Sequence, residues 1–183
     1  MHVMSRVFPA LVVGASLLGA CTTTVVPAPS PTTSTSRPTA VDRTLVQLRC
    51  AESSVESPVG PVVLNAVALE SNRLLQVFPS GETAPPAALF AKTWLWAKAG
   101  VAMTLTIVDE QQSGPTMGWG SPAAKATQVR VPACPALGGP GWIGWPGGFW
   151  VASPRCVHVA VTVGTRASDI PMSVGRECSP ARP

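Results

Sequence analysis

The chain has 183 residues, of which 46% are hydrophobic but only 5% aromatic and 12% charged, with 20 prolines, 16 glycines and no tyrosine. This is room for one ordinary domain plus attachments, and the composition points to many short strands joined by turns, away from a helical or wholly disordered chain. The formal net charge is +4, yet no run of Lys/Arg occurs, which argues against nucleic-acid binding through clustered cations facing phosphates.

The first twenty residues read as a leader. Arg6 supplies the n-region charge, and residues 7–18 form an uncharged apolar run too short to span a bilayer as a permanent helix. Leu17-Leu18-Gly19-Ala20-Cys21 follows, and these residues resemble the lipobox of bacterial lipoproteins. The resemblance implies diacylglycerol transfer to the Cys21 thiol and cleavage before it, hence a 1–20 signal peptide and a cell-membrane anchor facing outside the cytoplasm. Ordinary secretion, or a free or disulfide-bonded Cys21, is the competing reading. Arginine outnumbers lysine ten to three, and alanine, glycine, proline and valine abound, as in a high-GC bacterial coding sequence.

Residues 21–44 are a different material, with Pro27, Pro29, Pro31 and Pro38 among Thr, Ser, Ala and Val. Apolar surface here is too scarce to offset the entropy of ordering, so an extended tether is expected. About twenty such residues in polyproline II would reach about 60 Å. The Thr/Ser/Pro mix is also compatible with O-linked sugars.

From residue 45 onward the periodicity changes to that of strands. The stretch from Ala51 to Glu56 holds the one candidate for a helical turn or two, with Glu52 and Glu56, four apart, facing solvent. Residues 62–69 form a continuous apolar run fit for a buried strand, and 74–78 suggest a short one. Trp94 and Trp96 flank Leu95 and share a strand face, assigned to the core. Val101, Met103, Leu105 and Ile107 alternate with smaller or polar residues, as do Val129 and Val131.

Cys134 to Cys156 encloses the densest punctuation, Trp142-Ile143-Gly144-Trp145-Pro146-Gly147-Gly148-Phe149-Trp150. It reads as two strands with a tight turn at Pro146-Gly147-Gly148, leaving Trp145 exposed at the tip and Trp142 and Trp150 on the flanks. Residues 157–163 then alternate valines with other side chains, which places His158 opposite the valine face, toward solvent. Ile170, Met172 and Val174 continue the alternation. Pro171 cannot donate to a ladder, so this strand belongs at a sheet edge or a bulge.

Eight or nine short strands suggest a disulfide-stapled antiparallel β-sandwich, Ig-like or Greek-key, over residues 45–183. With Cys21 lipidated, Cys50, Cys134, Cys156 and Cys178 remain. Four cysteines outside the cytoplasm read as two disulfides with three possible pairings. The favoured pairing is Cys134–Cys156, closing the Trp hairpin, and Cys50–Cys178, joining the first and last strands. Zinc is the rival, but no CxxC spacing exists.

Gly118-Trp119-Gly120-Ser121-Pro122, Cys134-Pro135, Gly147-Gly148-Phe149-Trp150-Val151, Pro154-Arg155-Cys156-Val157 and Val174-Gly175 before Cys178 resemble a family of actinobacterial secreted proteins and lipoproteins with a β-rich domain. The likeness covers about the last ninety residues. It implies compartment and fold, and transfers no catalytic or binding residue.

Chemistry-bearing motifs are few. No Gly-x-Ser-x-Gly, His-Glu-x-x-His or P-loop occurs, and His158 is the single histidine beyond the leader. Asp109 and Glu110, the only adjacent carboxylates, read as turn residues, with a calcium-ligand pair as the sharper alternative. No cofactor or metal is expected. Trp142, Trp145 and Trp150 are the candidate binding residues, either for a protein or glycan partner of the cell envelope or simply as hairpin packing. The expectation is thus a non-catalytic, membrane-anchored binding or accessory domain, with a purely structural subunit as the alternative and a hydrolase as the least favoured.

The leader carries its own test. Cys21→Ser should release the protein from membranes or leave the leader uncleaved, and intact mass should show acyl chains on Cys21 in the unmutated chain. A mature protein that begins elsewhere and lacks lipid refutes the anchor.

Overall fold

A computed structural model of the chain describes residues 45–55, 57–82, 89–108, 114–139 and 141–179. The expected leader, Cys21, the expected tether, Glu56 and the Asp109-Glu110 pair lie outside the described residues. Those described all belong to one compact unit, Pro38–Pro183.

The fold is a disulfide-stapled β-sandwich of twelve described strands: β1 (Leu45–Gln47), β2 (Ser54–Val55), β3 (Val62–Val63), β4 (Val67–Ala68), β5 (Phe78–Pro79), β6 (Leu89–Lys98), β7 (Met103–Ile107), β8 (Thr116–Trp119), β9 (Gln128–Val131), β10 (Trp142–Val151), β11 (Arg155–Val163) and β12 (Arg166–Val174). One sheet has the order β1-β9-β7-β11-β12. The other runs β2-β10-β6-β4-β3, with β5 also pairing β6 and β8 also pairing β10. Cys50–Glu52 forms a single 3-10 turn at the place of the expected helical turn.

Alternation explains the first sheet. Met103, Leu105 and Ile107 on β7, Val129 and Val131 on β9, Val157, Val159 and Val161 on β11, and Ile170, Met172 and Val174 on β12 all enter one buried cluster. The second sheet meets it with Ala91, Leu95 and Ala97 from β6 and Ile143, Trp145, Phe149 and Val151 from β10. Removing these apolar side chains from water is the main driving force, at about 25 cal/mol per Å². Pro171 sits on β12, which ends its sheet, so the missing donor interrupts no ladder beyond the pairing with His158 on β11.

Three sets of expectations are corrected, the first of them two short apolar runs. The apolar run at 62–69 is not one strand but a hairpin, β3 to β4, turned by Leu64 and Asn65, both at φ 53°. The Ala66 amide closes that turn on the Val63 carbonyl at 3.0 Å. Two positive φ angles define a type I′ turn, and Asn65 was its only sequence cue inside an otherwise apolar run. The short strand expected at 74–78 is instead an isolated bridge at Leu75 followed by β5 at Phe78–Pro79.

The second correction is the Trp hairpin, which does not exist. Trp142–Val151 is one continuous ten-residue strand, paired along its whole length with β6. Pro146-Gly147-Gly148 is tolerated in its middle for steric reasons. A Cβ on Gly147 would lie 2.1 Å from the Gly118 carbonyl oxygen, and one on Gly148 would lie 2.0 Å from that of Ala91. The glycines therefore mark close backbone approach on both sides of a central strand, which sequence alone cannot distinguish from a turn. Pro146 falls where β10 changes neighbours, after pairing β2 through Ile143 and Gly144 and before pairing β8 from Gly147. Its missing amide therefore leaves no strand partner unsatisfied, and its carbonyl accepts the Gly120 amide at 3.0 Å.

The third correction is the disulfide pairing. The bonds are Cys50–Cys134 and Cys156–Cys178, not Cys134–Cys156 and Cys50–Cys178. The cause is a parallel ladder in a sandwich expected to be antiparallel. β1 pairs β9 with Gln47 opposite Arg130, and the Leu48 amide extends the ladder to the Arg130 carbonyl. Two parallel strands leave a sheet in the same direction, so Cys50 and Cys134, each three residues past its strand, emerge side by side. At the other edge, Gly175 turns the chain after β12, and the Cys178 amide reaches Ser173 Oγ at 3.1 Å. Ser173 pairs directly with Cys156, which brings the second pair together.

The separations of 84 and 22 residues make the two bonds unequal in what they remove from the unfolded chain. In the chain-entropy treatment, replacing Cys50 and Cys134 with alanine should cost about 4.5 kcal/mol, against about 3.4 kcal/mol for Cys156 and Cys178. Guanidinium denaturation of the two double variants checks the order, and a larger loss for the 156–178 pair contradicts it.

Candidate functional site

The β6–β10 register decides which aromatic rings face outward. Directly opposed residues of an antiparallel pair share a face, and successive residues alternate. Trp142 opposes Lys98, Gly144 opposes Trp96, Pro146 opposes Trp94, Gly148 opposes Lys92, and Trp150 opposes Phe90. All ten lie on the face turned away from the sandwich core. Trp145 and Phe149, one residue out of phase, lie inside it.

Trp145 is fully buried and its indole Nε1–H donates to the Arg49 carbonyl at 3.1 Å. The expected exposed tip is thus a core anchor. Trp94 and Trp96 do share a strand face, but it is the outer one, not the core face. Strand residues two apart stand nearly 7 Å from each other, and their rings stack with centroids 6.3 Å apart and planes at 21°. Trp96 is nonetheless covered, whereas Trp94 remains half-buried. Trp119 is packed in the core, with its ring edge-on to Phe149 at 5.8 Å.

Trp142 and Trp150, the two remaining candidates, stand at opposite ends of the outer face. Lys98 Nζ lies 5.9 Å above the Trp142 ring, and Lys125 Nζ 5.6 Å above that of Trp150. Trp150 also leans on Phe90, with centroids 4.7 Å apart, and is 9% exposed. Lys125 in addition pairs with Glu82. The chain has only three lysines, and Lys92, Lys98 and Lys125 all stand at this aromatic face.

A pocket opens beside it. β4 pairs the end of β6 at Trp96 and Ala97, and β5 pairs the other end at Leu89 and Phe90. Among the described residues no strand covers the stretch 91–95 on that edge. A cavity of about 390 Å³ lies there, lined by Glu70, Arg73, Gln76, Phe78, Lys92, Thr93 and Trp94. Glu70 is buried at 8% exposure, and its carboxylate accepts from Thr93 Oγ1 at 2.8 Å and pairs with Arg73 Nη2 at 2.7 Å. A carboxylate so held needs both partners, because a buried charge left unpaired is costly. Opposite this polar floor, Phe78 is 54% exposed and Trp94 offers part of its ring.

An aromatic wall, several fixed hydrogen-bonding groups and the Lys92 ammonium can stack on a ring-shaped ligand, fix its orientation and attract negative charge. Phe78, Arg73 and Glu70 were missed in the sequence. Their proximity to Trp94 depends on how the loop between β4 and β5 crosses the edge of β6. Among the described residues no three His, Cys, Asp or Glu side chains are grouped to hold a metal ion. No protein-family model matches the chain, and neither the curated proteins nor the solved structures compared with it give a match.

The two tryptophan classes separate in a stability measurement. Trp145→Ala should cost about 3–5 kcal/mol, because it empties a core site, whereas Trp94→Ala should cost about 1–2 kcal/mol for its partly exposed ring. Urea denaturation with tryptophan fluorescence checks this, and equal losses contradict the face assignment.

Proposed function

We propose that the protein is a lipid-anchored envelope lipoprotein whose sandwich recognises an anionic glycan of the cell envelope, binding it without chemical turnover. The anchoring rests on the Leu17-Leu18-Gly19-Ala20-Cys21 segment and the tether behind it. The recognition rests on one observation, the gathering of all three lysines and the half-exposed Trp94 and Trp142 onto one sheet face that ends in the Phe78–Trp94 pocket.

The chemistry favours a sugar over a flat protein surface. Trp94 and Phe78 present rings on which the apolar face of a pyranose can stack. Gln76, Arg73 and Lys92 line the same cavity and can meet hydroxyl and carboxylate groups. Lysines spread along the face, rather than clustered, suit charges repeated along a polymer. They would also steer an acidic chain toward the face, an attraction that salt screens.

Tetragalacturonate and maltotetraose separate the reading from its rivals, because they are an acidic and a neutral oligosaccharide of equal length. Calorimetric titration should show binding of the acidic one that weakens with added salt. Trp94→Ala should weaken it by about tenfold or more, as loss of a central aromatic contact does. Equal binding of the neutral sugar, absence of binding to both, or no effect of Trp94→Ala overturns the proposal.

A further inference from the structure

The edge of the five-stranded sheet carries an arrangement that the glycan reading does not use. Cys156 and His158 are two apart on β11 and therefore share its solvent face. His158 Nε2 lies 3.6 Å from Cys156 Sγ. On the other side of the ring, Nδ1 is 2.6 Å from Asp169 Oδ2. Asp169 is on β12, opposite Ala160, and so reaches the imidazole diagonally across the ladder. A carboxylate at this distance holds a proton on Nδ1 and aims Nε2 at the sulfur. His158 and Asp169 are each about half exposed.

We propose that Cys156–Cys178 is an exchange-competent disulfide, with His158 as its general acid–base group and Asp169 as the positioning residue. A cleft of about 250 Å³, lined in part by Ser71, Asn72, Arg73, Ser173, Glu177 and Cys178 itself, gives an incoming thiol a place to approach the Cys178 sulfur. Among the described residues, the charged groups around the cleft that holds the imidazole are Asp169 from β12, Arg155 from β11 itself, and Arg176 and Glu177 from the C-terminal segment. β7, on the other flank of β11, contributes no charged residue.

The reductant is a dithiol, either a small molecule or a CxxC-type protein. Its first thiolate forms a bond to Cys178 Sγ, and the Cys156–Cys178 bond breaks. The electron pair leaves on Cys156 Sγ, which takes the proton from His158 Nε2. The second thiol of the dithiol, losing its proton to solvent, then attacks the mixed disulfide and closes the dithiol into its own disulfide. Cys178 leaves as a thiolate and is protonated by solvent. The protein gains two electrons and two thiols, and the dithiol loses the same two electrons. In reverse, His158 takes the proton from Cys156 and the protein oxidises a dithiol.

Cys50–Cys134 is the internal control. Cys134 is buried, and the chain's only other histidine is His2 in the leader. The purified chain, treated with limiting dithiothreitol, trapped with iodoacetamide and mapped by mass spectrometry, gives both opening rates. Cys156–Cys178 should open about tenfold faster or more than Cys50–Cys134. His158→Gln keeps a polar side chain but carries no titrating proton, and should slow the 156–178 step by about tenfold or more. Normalised to dithiothreitol thiolate, the unmutated rate should vary with pH, and the His158→Gln rate should stay flat. Asp169→Asn retains the imidazole and should shift that pH profile. It provides a second reading should His158→Gln disturb the strand. Faster opening of Cys50–Cys134 overturns the proposal. So does a His158→Gln chain with the original rate and profile, which would mean that exposure alone governs the bond.

Discussion

Where β6 and β10 pair over ten residues, each side chain on both strands is committed to one face by its place in the register. A slip of one residue in β10 would turn Trp145 and Phe149 outward, and one in β6 would bring Lys92 and Lys98 into the core. The close approach at Gly147 and Gly148 opposes such a slip, because only residues without a Cβ fit between the β8 and β6 backbones. Burial of Trp145 and Phe149 supplies the free energy that holds the register, while the glycines supply the geometry. The aromatic outer face is a consequence of the same alternation.

That outer face differs from an ordinary solvent-facing sheet surface in having so few small polar residues. Its tryptophans form a stacked pair at the centre and a lysine-capped ring near each end. Lysine stems cover apolar ring surface while their ammonium groups stay in water, which helps a sheet so rich in aromatics to remain soluble. Two of the rings left partly open, Trp94 and Phe78, border the one stretch of β6 edge without a strand neighbour among the described residues. The proposed recognition role follows from that coincidence of exposed ring, free edge and positive charge.

The two disulfides occupy different mechanical positions. Cys50–Cys134 ties a parallel strand pair just beyond its end, with Cys134 inside the core. Cys156–Cys178 pins a short C-terminal segment onto an edge already secured by nine residue pairs between β11 and β12. The first closes the long loop and the second closes a short one, so the sheet edge retains its ladder when the second is open. A bond of that kind is available for chemistry that the first is not.

The alternating valines and the Met103-Leu105-Ile107 series made the strands of the first sheet legible from sequence, because burial on one face leaves a period of two in the residues themselves. The position of Pro171 at an edge, the exposure of His158 and the participation of Cys50, Cys134, Cys156 and Cys178 in disulfides were legible for similarly local reasons. Tertiary structure alone decided the rest. Gly147 and Gly148 look the same whether a chain turns or a neighbouring backbone passes close, so Trp145 could not be assigned to the core before β6 and β8 were in place. The cysteine pairing depended on β1 running parallel to β9, and strand direction leaves no trace in hydrophobic period. The convergence of Glu70, Arg73, Phe78 and Trp94 likewise came from a loop crossing a sheet edge, a long-range contact that no local pattern encodes.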